Sequence, residues 1–131
     1  MKTNTIILWV CRLAAAGLLL QTLFFKFSAA PESVYIFTKV GIEPWGRIGT
    51  GVAELIASIL ILLPRTSVIG AVMAIGIMAG ALATHLFILG IEVMGDGGQL
   101  FIYALIITLC SLYITIVERK HLLSIIKTKK L

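Results

Sequence analysis

Residues 68–89 read VIGAVMAIGIMAGALATHLFIL. The stretch holds one ionisable side chain, His85. It is long enough to cross a hydrocarbon layer of ~30 Å as a helix, which takes about 20 residues. A strand of a membrane barrel would show segments of about 10 residues with alternating polarity, and this stretch does not alternate. An open strand would leave its backbone groups unpaired in lipid. The reading is a transmembrane helix.

Three further apolar runs of similar length cover residues 5–25, 45–63 and 99–117. Together the four predict an all-α fold, an integral membrane four-helix bundle. Composition supports this. Of 131 residues, 60% are hydrophobic and 13% charged, against about 45–50% apolar and about 25% charged in soluble domains. A soluble chain of about 150 residues buries only about 70% of its surface, too little to hide this much apolar material. Soluble enzymes, disulfide scaffolds and disordered chains are poor fits. The formal charge of +5 does not mark a nucleic-acid partner either. Its basic residues stand at the ends of the apolar runs, where the membrane accounts for them.

Cys11 and Cys110 each fall inside an apolar run, without a CxxC pair or zinc spacing. They read as free thiols packing as small hydrophobes, and no metal site is expected. Ser28-Ala29-Ala30 imitates a signal-peptide cleavage site. Arg12 interrupts the stretch before it, and Gln21, Lys26 and Pro31 are badly placed for processing. The first span is therefore expected to be retained.

The basic residues predict an orientation. Lys2, Arg65, Arg119, Lys120, Lys127, Lys129 and Lys130 fall on one side. Lys26, Lys39 and Arg47 fall on the other, diluted by Glu32, Glu43, Glu92 and Asp96. Both termini are expected in the cytoplasm of a bacterial cell, with the chain multi-pass in the inner membrane. Phe24, Phe25, Phe27, Tyr35, Phe37 and Trp45 crowd the outer boundary, as interfacial rings do.

The connections differ in kind. Leu63-Pro64-Arg65-Thr66-Ser67 is a tight turn that makes the second and third helices antiparallel neighbours. Residues 90–98 form a polar, glycine-rich turn. In the first outer loop, Pro31-Glu32 starts and Gly41 stops a short helix over 31–40, lying in the interface as a connector or as the cover of a cavity. Residues 118–131 form a basic amphipathic tail suited to an anionic cytoplasmic leaflet.

Small residues repeat along the spans: Gly49, Ala53 and Ala57; Gly76, Gly80 and Thr84; Ala14-Ala15-Ala16-Gly17. They predict close helix packing, with homo-oligomerisation the competing use. Ionisable groups inside spans face a bundle interior or a wet cavity. Arg12 lies ~10 Å and Glu54 ~14 Å from the cytoplasmic side at ~1.5 Å per residue. Matched depths predict an Arg12–Glu54 pair, serving either to neutralise two charges or to hold a ligand. Arg12, Leu19 and Lys26 share a heptad face. His85 lies ~6 Å below the outer boundary, beside Ala74, Met78 and Ala81. Lys26, Glu54 and His85 are expected around one cavity in the outer half. Gln99, Tyr103, Cys110 and Tyr113 complete a pocket or act as polar glue.

From Arg12 onward the chain resembles the DoxX family of small bacterial membrane proteins. The resemblance rests on Arg12-Leu13-Ala14-Ala15-Ala16-Gly17 with its closing Phe25-Lys26-Phe27. It also rests on Gly51-Val52-Ala53-Glu54-Leu55 ahead of Leu62-Leu63-Pro64-Arg65, and on His85 late in the third helix. It implies a four-helix membrane bundle. Named members include subunits of thiosulfate:quinone oxidoreductases, and relatives assist the maturation of other proteins.

Two functions are in contention. One is a quinone-interacting membrane subunit of an oxidoreductase complex, with Arg12, Lys26, Glu54 and His85 as ligand-binding residues and an oxidoreductase partner subunit. The other is a non-enzymatic scaffold or assembly factor. A small transporter is a weaker third. No self-contained catalytic motif is present, and no cofactor is evident beyond a candidate quinone.

Overall fold

The computed structural model describes residues 3–43, 45–92, 95 and 97–128, with the side chains of Thr3, Asn4 and Thr128 left aside. Lys2, Asp96, Lys129 and Lys130, used above for orientation, lie outside the described residues. Among the described residues are six α-helices joined by turns. They are α1 (Thr3–Phe27), α2 (Pro31–Val40), α3 (Trp45–Leu62), α4 (Ser67–Thr84), α5 (Gln99–Val117) and α6 (Arg119–Thr128). A π-helical turn, His85–Leu89, prolongs α4. Among the described residues, four segments are long and apolar enough to span a membrane: Thr5–Phe27, Trp45–Leu62, Ser67–Leu89 and Gln99–Val117.

The bundle is a closed ring in which α1 packs on α3, α3 on α4, α4 on α5 and α5 on α1. Its interior is built mostly from small residues, with Ala15, Ala16, Ala57, Ala71, Ala74 and Ala104 all buried. Large apolar side chains point outward instead, among them Val10, Leu13, Phe24, Ile56, Phe87, Leu109 and Ile116. That arrangement is unfavourable in water, where such residues belong inside. It suits lipid, where close backbone approach drives helix association. The chain is a multi-pass membrane protein.

Gly70 shows how close the approach is. A Cβ there would stand 2.7 Å from both the Ala57 carbonyl oxygen and the Ile61 nitrogen. The turn at 63–66 therefore brings α3 and α4 into backbone contact at this end. Thr66 seals it, its hydroxyl donating to the Leu60 carbonyl at 2.9 Å. At the same end α6 folds against α4 and α5, and His121 Nε2 lies 2.8 Å from the Arg65 carbonyl oxygen.

The opposite end carries α2. Pro31 occupies the first turn, where its missing N–H costs nothing, and Glu32 beside it suits the positive helix start. Gly41 ends the helix with φ 90°, a left-handed conformation that glycine adopts without a Cβ clash. The expected boundaries of 31–40 match the observed ones. α2 packs against α1, α3 and the π-helical turn, so it lies across the end of the bundle.

The small-residue stripes divide. Ala57 makes the close contact with Gly70. Gly49, Gly76 and Gly80 do not pack as expected: a Cβ at any of them would meet no atom within 4 Å. The helices are close near the 63–66 turn and separate toward α2, and these glycines line the space that opens. Cys11 and Cys110 are unbridged and half-buried against the core.

Candidate functional site

Between the spread helix ends lies a cavity of about 700 Å³. Sites for drug-sized ligands run about 300–1,000 Å³, mostly apolar with a few placed polar groups. Ile77, Met78, Leu100, Ala104 and Ile107 supply apolar wall, and Ile36, Phe37 and Val40 of α2 close one side. Lys26, Glu54 and His85 all border this single space. Gln99 and Tyr103 join them, with the Gln99 amide donating to the Tyr103 hydroxyl at 2.6 Å.

Glu54 is 1% exposed at the middle of α3. A bare carboxylate there would be costly. Two groups from α1 compensate. The Lys26 ammonium lies 2.8 Å from Oε1, and the Thr22 hydroxyl donates to Oε2 at 3.0 Å. Lys26 thus points inward rather than snorkelling out to the interface. Oε1 accepts no well-oriented hydrogen bond from the described residues, despite the nearby ammonium.

His85 is buried at the junction of α4 and the π-helical turn. In that turn the Gly90 N–H donates to the His85 carbonyl at 2.7 Å. The chain then folds so that the Gly90 carbonyl lies 3.0 Å from His85 Nδ1. A carbonyl only accepts, so Nδ1 carries the hydrogen and donates to it, which leaves Nε2 toward other partners. Phe101 holds the ring edge-on, with centroids 5.5 Å apart. π-Helical turns are rare and frequent at functional sites.

Arg12 is elsewhere. It is buried at the 63–66 end, where its Nε donates to Ser67 Oγ at 2.9 Å and its guanidinium pairs with Glu118. The Trp9 ring lies 4.7 Å from the guanidinium carbon. The expected Arg12–Glu54 pair does not form. Counting residues from the span ends misjudges the levels: Thr22 is the α1 residue that meets Glu54, and Arg12 lies about 15 Å further along the same helix. Glu118 and Lys26 are the nearer partners, and each charge is satisfied at its own end. Arg12 therefore does not border the cavity that Lys26, Glu54 and His85 share.

Arg47 is a residue that the sequence reading left among the outer charges. It is buried, donates to Glu43 Oε1 at 2.8 Å, and its other arm caps the Lys26 carbonyl. It ties the start of α3 to the end of α1 and so holds Lys26 in place. The i, i+4 spacing of Glu43 and Arg47 was the available signal.

A helical membrane bundle with a largely apolar cavity and a buried ion pair defines a class of protein, an integral membrane protein with an internal chamber. The sequence profile of the DoxX-like family matches residues 9–111, and the chain belongs to that family. The match includes Lys26, Glu54 and His85. No curated protein matches the chain, and no solved structure does.

Proposed function

We propose that the protein is a quinone-interacting membrane subunit of an oxidoreductase complex. The observation that carries this reading is the cavity itself, with a buried Lys26–Glu54 pair and His85 on one largely apolar chamber. A quinone head group is flat and apolar-faced and carries two carbonyl acceptors. The Lys26 ammonium supplies a donor to one carbonyl. Glu54 balances that charge, and the two faces of the head meet Met78, Ala81 and Ile107. Reduction of a quinone to a quinol takes two electrons and two protons. In this reading the electrons come from a partner subunit, and Glu54 and His85 pass the protons.

In this reading the chain lies in a bacterial inner membrane with both termini cytoplasmic, so that α2 and the cavity face outward. α6 lies on the anionic leaflet, with Leu123 and Ile126 outward from the bundle and Arg119, Lys120 and Lys127 for lipid phosphates.

Trp45 borders the cavity and provides the assay. With Trp9 replaced by Phe, quenching of Trp45 fluorescence by a titrated short-chain quinone should saturate. Glu54→Gln and His85→Ala should each weaken binding about tenfold or more. A folded wild-type protein that shows no saturable quenching overturns the quinone reading. Mass spectrometry of gently purified protein that finds a partner subunit but no quinone favours the scaffold role instead.

A further inference from the structure

We infer that the ligand is a tailed amphiphile whose hydrocarbon chain leaves the cavity sideways, between α3 and α4, into the bilayer. This rests on the cavity being the ligand site, as proposed above. Three observations carry it. The first is the divergence of the two helices. At Gly70 they touch backbone to backbone, whereas Gly49, Gly76 and Gly80 have no atom within 4 Å of where a Cβ would stand.

The second is the direction in which those glycines lie. Helical residues advance by about 100° each, at 3.6 residues per turn. On α4, Ala71, Ala74, Met78 and His85 mark the buried face. Gly80 falls off that face on the side of the α3 contact made by Gly70, and Gly76 lies nearly opposite the face. On α3, Glu54, Ser58 and Ile61 mark the buried face, and Gly49 falls off it toward α4. All three are exposed, yet all three line the cavity. They are the lips of a lateral opening.

The third observation points to the ligand. Glu54 is almost wholly buried and borders this space, and its Oε1 holds the Lys26 ammonium at 2.8 Å on the wall of the chamber. A polar head accepting from that ammonium would place its tail in the glycine-lined gap. Side chains larger than hydrogen at the lips would obstruct the tail and leave the head site untouched. A head group alone fits within the chamber and does not need the opening.

The test compares two probes on the purified protein in lipid nanodiscs: a benzoquinone with a decyl tail and the same head without a tail. Gly49→Leu/Gly80→Leu should weaken the decyl probe at least tenfold and change the tailless probe less than twofold. Equal affinity of the decyl probe for variant and wild type overturns the lateral opening, as does equal loss of both probes in a folded variant. A wild-type protein that binds neither probe overturns the cavity reading, and this inference with it. Independently of any variant's folding, a decyl probe carrying a terminal diazirine should cross-link wild-type protein within 45–53 of α3 and 76–84 of α4. Cross-links confined to α1 and α5 overturn the proposal.

Discussion

Lys26, near the end of α1, reaches into the bundle to place its ammonium 2.8 Å from Oε1 of Glu54 on α3. The pair joins a residue at the membrane boundary to one at mid-span. Breaking a buried pair by removing one partner leaves an uncompensated charge, at a cost of about 3–5 kcal/mol. Lys26→Met and Glu54→Gln should each destabilise the bundle in a denaturation titration. The double change should cost less than the sum of the two. Strict additivity would mean that the two side chains are not coupled.

Arg12 and Glu118 form a second pair at the opposite end. Arg12→Met and Glu118→Gln should be coupled by about 1–3 kcal/mol, within the range for residues sharing one ion pair. Arg12→Met combined with Glu54→Gln should be additive within about 0.5 kcal/mol, since separated sites do not couple. The same denaturation titration tests both statements.

The close approach at Gly70 predicts an asymmetry between glycines of one helix. Gly70→Ala places a methyl group 2.7 Å from backbone atoms of α3, which cannot move as a side chain can. Overpacking of this kind costs about 1–3 kcal/mol. Gly80→Ala meets open space and should be neutral or stabilising, as alanine is the better helix former by about 1 kcal/mol. Equal melting temperatures for the two variants would count against the α3–α4 packing.

The orientation proposed above is checked by labelling in a background where Cys11 and Cys110 are replaced by Ser. Thr38 on α2 and Lys120 on α6 are both exposed. Thr38→Cys should react with an impermeant maleimide added to the outer surface, and Lys120→Cys only after the membrane is opened. The reverse pattern would invert the topology. Ser33, though on α2, is buried and would be a poor reporter.

His85 offers a local test. Its Nδ1 contact with the Gly90 carbonyl spans the π-helical turn. His85→Asn keeps one donor near that carbonyl and should preserve the turn, while His85→Ala removes it. If the ring serves the cavity only by holding the turn, the Asn variant should bind quinone like wild type. If Nε2 meets the ligand, both variants should lose about tenfold.

Much of this protein was legible in its sequence. Lipid demands that backbone groups be satisfied within each spanning segment, so the long apolar runs, such as 68–89, determined helices. Pro31 and Gly41 determined the ends of α2, because ring closure and a left-handed φ are local properties of those residues. The gathering of Lys26, Glu54 and His85 about one space followed from the cost of polar groups in lipid, which sends them inward. The tertiary structure decided what depends on the lengthwise offset and separation of helices. Arg12 pairs with Glu118, and Glu54 with Lys26, because the offset of α1 against α3 sets Thr22 and Lys26 near Glu54 and leaves Arg12 about 15 Å along the helix from Thr22, and residue counts from the ends of each run do not contain that offset. The glycines of α3 and α4 divide the same way. A small residue permits both contact and empty space, and only the divergence of the two helices makes Gly70 a contact and Gly80 an opening.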